Sequence, residues 1–160
     1  MGSGKSTVGK VVANLLSLPF LDMDQIIEER TGADISWIFD VEGESGFRDR
    51  EQQLLSELLD AHESCVIATG GGVVERDANR SLLSGRGDVV YLNASLSQLA
   101  QRTAKDKKRP LLQVNNPKQR IKELYQRRDP LYREVADHII DTNAGNPKAV
   151  AQSIVSSLNY

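Results

Sequence analysis

The residues Gly2-Ser3-Gly4-Lys5-Ser6-Thr7 have the types and spacing of the end of a phosphate-binding loop, G-x-x-x-x-G-K-[ST]. In such a loop the glycines let backbone N–H groups close around phosphate oxygens. Lys5 then reaches the β- and γ-phosphates, and the Ser6 hydroxyl ligates Mg²⁺. A helix beginning there aims its positive dipole end at the same anion. Val8, Val11, Val12, Leu15 and Leu16 supply helical apolar spacing at once, which a flexible Gly-Ser linker would not. Only six of the motif's eight positions are present, Met1 to Ser6. The leading glycine would fall two residues before Met1, and the strand that normally launches the loop is absent.

Three further groups of residues could serve a phosphate. Asp22-x-Asp24 follows a short apolar run, so both carboxylates leave one sheet edge together. One acid suits magnesium, directly or through water, and the other suits an acceptor substrate, although Asp24 could instead only cap the next helix. Gly70-Gly71-Gly72 carries a large ordering cost and implies a close backbone approach to a ligand rather than a plain turn. Arg48, Arg102, Arg109 and Arg128 stand out among charges that are otherwise read as solvated surface. Phosphoryl transfer needs cations over the migrating group, best delivered by a closing lid, and guanidinium pairs also bind carboxylates bidentately. Spacing alone does not say which two arginines would do so.

The elements that must position these residues alternate short apolar runs with helical segments, an α/β pattern with a mostly parallel sheet. Predicted strands are Pro19 to Asp22, Cys65 to Thr69, Asp88 to Leu92 and His138 to Asp141. Predicted helices cover Lys5 to Ser17, Asp24 to Arg30, Ile35 to Leu59 (broken near Gly43 to Gly46), a segment ending at Arg102, Lys118 to Arg127, and Pro147 to Leu158. Asp129-Pro130 is expected to interrupt the penultimate helix. The polar, basic stretch Lys105 to Pro117 reads as a mobile lid. Ligands in such sheets bind at C-terminal strand ends, where the phosphate loop, Asp22, Asp24 and the triple glycine all fall.

Bulk properties narrow the setting. At 160 residues the chain fits one domain, 1–160, with a single sizeable core. Twenty Lys+Arg against 22 Asp+Glu give a net charge of −2, so no general attraction to nucleic acid or anionic membrane is expected. The lone Cys65, flanked by Val66, Ile67 and Ala68, reads as a small core residue and suits a reducing cytosol. No apolar run approaches the roughly 20 residues of a membrane span, and no export signal is present. These features predict a cytoplasmic protein.

Gly2 to Thr7, Phe20-Leu21-Asp22-Met23-Asp24, Gly43-Glu44 with Phe47-Arg48 and Glu51, Thr69-Gly70-Gly71-Gly72, Arg109-Pro110-Leu111-Leu112 and Arg128-Asp129-Pro130-Leu131-Tyr132 together resemble the shikimate kinases in order and spacing, across essentially the whole chain. The resemblance implies a P-loop NTPase three-layer sandwich, a parallel sheet flanked by helices. It implies transfer of the ATP γ-phosphate to the 3-hydroxyl of shikimate, giving shikimate 3-phosphate on the path to chorismate and aromatic amino acids. ATP and Mg²⁺ would be the cofactors, shikimate the small-molecule partner, and the protein a monomer. A shikimate-binding region is implied over about 24–60 and a lid over about 105–117.

Roles carry over by matching position. Asp24 holds the acceptor hydroxyl as candidate base. Arg48 and Arg128 grip the shikimate carboxylate, Gly70, Gly71 and Gly72 surround the ring, and Phe39 and Phe47 form apolar walls. Arg109 bridges phosphate and substrate, so Lys5, Asp24 and Arg109 are the catalytic set. Gly2, Ser3, Gly4, Lys5, Ser6, Thr7, Arg102, Arg109, Asn146 and Pro147 would hold the nucleotide, and Ser6 and Asp22 the magnesium. Ala144 and Gly145 replace basic residues often found before the adenine loop. A gluconate or nucleoside-monophosphate kinase of the same architecture is the alternative enzyme, which the paired arginines and the Pro-Leu-Tyr block disfavour. A nucleotide-binding module without catalysis is the non-enzyme alternative.

The family's sheet has five parallel strands with the phosphate-loop strand central, and that first strand is missing here. Its neighbours should stand about 10 Å apart, unable to pair. Each buried unsatisfied backbone group would cost about 1–3 kcal/mol against a total stability of about 5–15 kcal/mol. The expectation is therefore a natural start some ten residues upstream, about one strand and its turn.

Overall fold

A computed structural model describes residues 4–61, 63–104, 109–143 and 145–159. In chain order the elements are α1 (Lys5–Leu16), β1 (Phe20–Asp22), α2 (Met23–Thr31), α3 (Ile35–Asp60), β2 (Val66–Ala68), a 3-10 turn (Val73–Glu75), α4 (Asp77–Leu83), β3 (Val90–Asn93), α5 (Leu96–Thr103), a second 3-10 turn (Pro110–Leu112), α6 (Pro117–Val135), β4 (His138–Asp141) and α7 (Pro147–Ser157). The predicted strands are all present within a residue or two. Sequence reading missed α4, whose seven residues hold too few apolar positions to show a period.

The strands form two separate parallel pairs. β1 lies beside β2 with Leu21 opposite Ile67, and β3 beside β4 with Tyr91 opposite Ile139. Among the described residues no strand joins the pairs, so the expected division of the sheet is present. Helices cover both faces of the strands. α1 and α7 bury Val8, Val12, Val150, Ala151 and Ile154 against Val66, Val90, Leu92 and Ile140 on one side. On the other, Met23, Ile27, Ile38, Phe47, Leu54, Leu55, Val73, Val74 and Val135 pack with Ile67 and Val89. Successive strand residues thus alternate between two helical layers, as a period of two requires. The arrangement is the three-layer sandwich that the resemblance implied.

Two local features bear on the site. α3 bends at Gly43 (φ 74, ψ 174), a conformation open essentially to glycine, which splits it into two helices and re-aims Phe47 and Arg48. α6 runs without interruption through Pro130, correcting the expected break before it. The proline costs roughly 3 kcal/mol within a helix. Ile121, Leu124, Arg128 and Val135 are all buried along α6, and their packing holds the helix together across it. No described helix is long and apolar enough to cross a membrane.

Gly43→Ala should destabilise the fold by about 1–3 kcal/mol, the cost of forcing a Cβ into this backbone region. The shift in denaturation midpoint, at unchanged slope, measures it.

Candidate active site

α1 begins at Gly4, whose left-handed φ of 83 turns the chain into the helix, and no side chain caps the helix start. Its first-turn N–H groups and dipole therefore face the space in front of the helix. Gly2 and Ser3 lie outside the described residues, as do Lys105 to Lys108 of the lid and Ala144. Lys5 lies at the same end. Burial pulls its ammonium below the usual lysine range, Arg109 and Arg128 add to that, and Asp24 opposes it. These charges sense one another because they share one cleft.

Asp22 ends β1 and caps α2, accepting from the Gln25 N–H at 3.2 Å. The capping role considered for Asp24 thus belongs to Asp22. Asp24 sits one step on in the first turn, and its carboxylate is freed for other work. Asp22 also accepts from Ser6 Oγ at 2.6 Å, bringing the two candidate magnesium ligands into contact. Hard oxygen donors beside a phosphate-facing helix start fit Mg²⁺, which takes one or two carboxylates and completes its shell with phosphate oxygens and water. Among the described residues no cluster of three or more His, Cys, Asp or Glu could hold a metal alone. Ser6 and Asp22 supply two oxygens, which leaves most of a magnesium shell to phosphate and water.

Beyond Asp24 the cleft narrows around the triple glycine. Arg48 is buried, donates to Glu51 at 2.9 Å and lies 3.4 Å from Glu44. Burial works against its charge, but Glu51, Glu44 and Glu75 outweigh it and hold the guanidinium firmly protonated. It also stacks 5.2 Å from the centre of the Phe47 ring, which packs on Phe39 at 5.0 Å. Phe47 belongs to the larger core cluster and Phe39 packs against it.

The glycines answer to side chains as much as to any ligand. A Cβ on Gly72 would lie 2.3 Å from Arg48 Nη2, and one on Gly70 would lie 2.8 Å from Glu51 and 3.1 Å from Asp24. Neither glycine has a positive φ, so what they supply is room. Gly71 offers its carbonyl to the Tyr132 hydroxyl.

Arg128 reaches the same place from α6, buried and donating through Nε to Glu75 at 3.1 Å. Glu75 also pairs with Arg127, and the two arginines outweigh its burial and draw its carboxyl below the ordinary range. Sequence reading assigned no role to Glu75 or Glu51. Glu51 was visible only as part of a motif, and Glu75 left no signal because its partners lie more than fifty positions away.

Among the described residues, four buried polar atoms around this turn have no hydrogen-bond partner: Asp24 Oδ1, Glu51 Oε2, Arg48 Nε and Arg128 Nη2. Two accept and two donate, and buried atoms of this kind are costly unless a ligand completes them. The set suits a small molecule bearing both hydroxyls and a carboxylate. Arg109, preceding the second 3-10 turn, acts on both Lys5 and Asp24 through its charge. Arg102 is exposed in the last turn of α5, and Thr7 is exposed on α1. Asn146 caps α7 through the Ala149 N–H at 2.9 Å, with Pro147 in its first turn.

The family profile described as shikimate kinase matches residues 1–159. The chain belongs to the shikimate kinase family. The shikimate kinase of Pseudomonas paraeruginosa is 54% identical over 158 residues, 99% of this chain and 91% of that protein. That of Acinetobacter baylyi is 56% identical over 155 residues, 97% of this chain and 86% of that protein. Among solved structures, shikimate kinase from Acinetobacter baumannii in complex with shikimate superposes with a TM-score of 0.96 at 50% identity, covering 99% of this chain and 88% of that one. The enzyme from Bacteroides thetaiotaomicron gives 0.90 at 32% identity, covering 100% and 94%. The P-loop kinase fold follows from these likenesses.

Burial, then the charge of Asp22, pushes the Asp24 carboxyl above its ordinary range, outweighing Lys5 and Arg109. A raised carboxyl pKa favours the folded state at low pH and loses that benefit as pH rises through the folded-state value. Asp24→Asn should therefore raise the melting temperature at neutral pH, and the gain should shrink as pH falls and the native carboxyl protonates. Thermal melts of both proteins from pH 4 to 8 test this; a gain that grows toward acid would contradict it.

Proposed function

We propose that this cleft transfers the γ-phosphate of ATP to the 3-hydroxyl of shikimate, giving shikimate 3-phosphate and ADP. The carrying observation is the set of unpartnered carboxylate and guanidinium atoms around Gly70 to Gly72, beside Lys5 and the open start of α1. Arg48 and Arg128 take the carboxylate of the acceptor, and Asp24 and Glu51 take its hydroxyls. Phe39 and Phe47 supply the apolar wall, and the 70–72 turn backs the ring.

In the reaction the acceptor oxygen attacks the γ-phosphorus in line as the bond to the bridging oxygen of ADP breaks. Asp24 orients the attacking hydroxyl and receives its proton, a task that a raised pKa suits. Lys5, Arg109 and the N–H groups from Gly2 to Thr7 hold the transferring oxygens. Ser6 and Asp22 would hold Mg²⁺, which when bound supplies charge neutralisation on the β- and γ-phosphates. Arg102, Asn146 and Pro147 flank the nucleotide. Closure of the 105–117 segment would bring Arg109 fully onto the phosphate and exclude water. The near-neutral charge and single free cysteine support a cytoplasmic monomer that binds neither nucleic acid nor membrane.

An ADP-release assay with shikimate, gluconate or a nucleoside monophosphate as acceptor tests the reading. Turnover with shikimate alone is expected; turnover only with another acceptor, or ATP binding without turnover, would refute it. Arg128→Ala should raise the KM for shikimate about 10- to 100-fold, the loss of a charge-assisted pair, with the KM for ATP changed by less than about threefold. Equal effects on both constants would remove Arg128 from the carboxylate site.

A further inference from the structure

Glu75 ends the 3-10 turn that follows the triple glycine, and its backbone has little freedom. Its N–H donates to the Gly72 carbonyl at 3.1 Å, and the Val73 N–H donates to that of Gly70 at 3.2 Å. Val73 and Val74 are buried in the larger core cluster, and the buried Asn79 amide donates to the Val73 carbonyl at 2.9 Å. The turn that shapes the pocket therefore also fixes where the Glu75 side chain starts.

From the other side α6 sends two consecutive arginines to that carboxylate. One oxygen, Glu75 Oε1, accepts from Arg128 Nε at 3.1 Å and from Arg127 Nε at 2.8 Å. The two guanidiniums stand in different settings, with the Arg128 side chain 4% exposed and that of Arg127 51% exposed. As a strut the exposed Arg127–Glu75 pair would be worth little. A purely structural arginine would also use its buried donors, whereas Arg128 keeps Nη2 without a partner among the described residues.

A carboxylate beside a cation that must bind another carboxylate is both a help and a rival. The guanidinium is planar and rigid, so holding Nε sets the directions of both Nη atoms. The negative charge of Glu75, however, weakens the pull of Arg128 on an incoming anion. Burial pushes the Glu75 carboxyl up, but Arg128 and Arg127 draw it below the ordinary range, so that charge is present at neutral pH. Arg127 offsets it at the same oxygen, from the solvent side.

We propose that Glu75 is a positioning residue that aims the Arg128 guanidinium at the acceptor's carboxylate, and that Arg127 tunes it by neutralising the Glu75 charge. The inference rests on the acceptor reading above and deepens it, since neither Glu75 nor Arg127 touches the acceptor in that reading.

The test is calorimetric titration of the protein with shikimate and, separately, with a non-hydrolysable ATP analogue. Glu75→Ala should weaken shikimate binding about tenfold, the loss of one charge-assisted hydrogen bond, and change that of the analogue by less than about twofold. Glu75→Gln should bring shikimate affinity back to within about threefold of the unaltered protein, because the amide oxygen still accepts from Arg128 Nε. Added to Arg128→Ala, the Glu75→Ala change should cost shikimate nothing further, since the group it aims is gone. Arg127→Ala should weaken shikimate about two- to fivefold at low salt, with the loss fading toward about 1 M salt. Combined with Glu75→Gln it should have no effect, because no charge is left to offset.

Failure of the unaltered protein to bind shikimate would remove the acceptor reading and this inference with it. Four other results would overturn this inference and leave that reading in place. They are unchanged shikimate affinity in Glu75→Ala, equal weakening of shikimate and the ATP analogue, no recovery with glutamine, and an Arg127→Ala loss that persists alongside Glu75→Gln.

Discussion

A single buried ion pair organises the triple-glycine side of this cleft. Glu51 is fully buried and accepts from Arg48, itself almost fully buried, at 2.9 Å. Neither charge could be there alone, since breaking such a pair by removing one partner costs about 3–5 kcal/mol. Everything nearby accommodates it. Gly70 and Gly72 give up their side chains to make room for Glu51 and Arg48, Phe47 stacks on the guanidinium, and the bend at Gly43 sets the helix that carries both residues. The pair stays incomplete at Glu51 Oε2 and Arg48 Nε, and that is what makes it a site rather than a strut.

The α1 side is built on the opposite principle. The start of α1 carries no side-chain cap, and its lysine is desolvated below its ordinary pKa. Each feature is unfavourable in the empty protein and favourable once an anion arrives. Asp24 stands between the two, its carboxyl raised by burial and by Asp22 and drawn back by Lys5 and Arg109, so it senses the charges of both sides. Glu75 performs a comparable service for Arg128, holding Nε so that Nη2 is left for the pocket.

The divided sheet has a different consequence. Among the described residues β1 and β2 carry Asp22 and the triple glycine as one unit, while β3 and β4 anchor α6 through Tyr91 and Asp129. The two units meet through side chains, notably Tyr132 on Gly71 and Arg128 on Glu75.

Much of this was legible in the residues themselves. The helix start at Gly4, Lys5 and Ser6 could be read directly, because a helix following a glycine turn is a local matter of spacing. The strands and the bend at Gly43 were legible for the same reason. The path of α6 through Pro130 was not, since a local helix breaker is overridden there by burial along the helix. Nor could the sequence reveal that Asp22 rather than Asp24 caps α2, that Glu75 holds Arg128, or that the glycines yield to Glu51 and Arg48. Local propensity and motif spacing act within a few residues and are written in the chain. Charge pairing and close approach depend on segments up to about sixty positions apart, so only the packed structure could decide them.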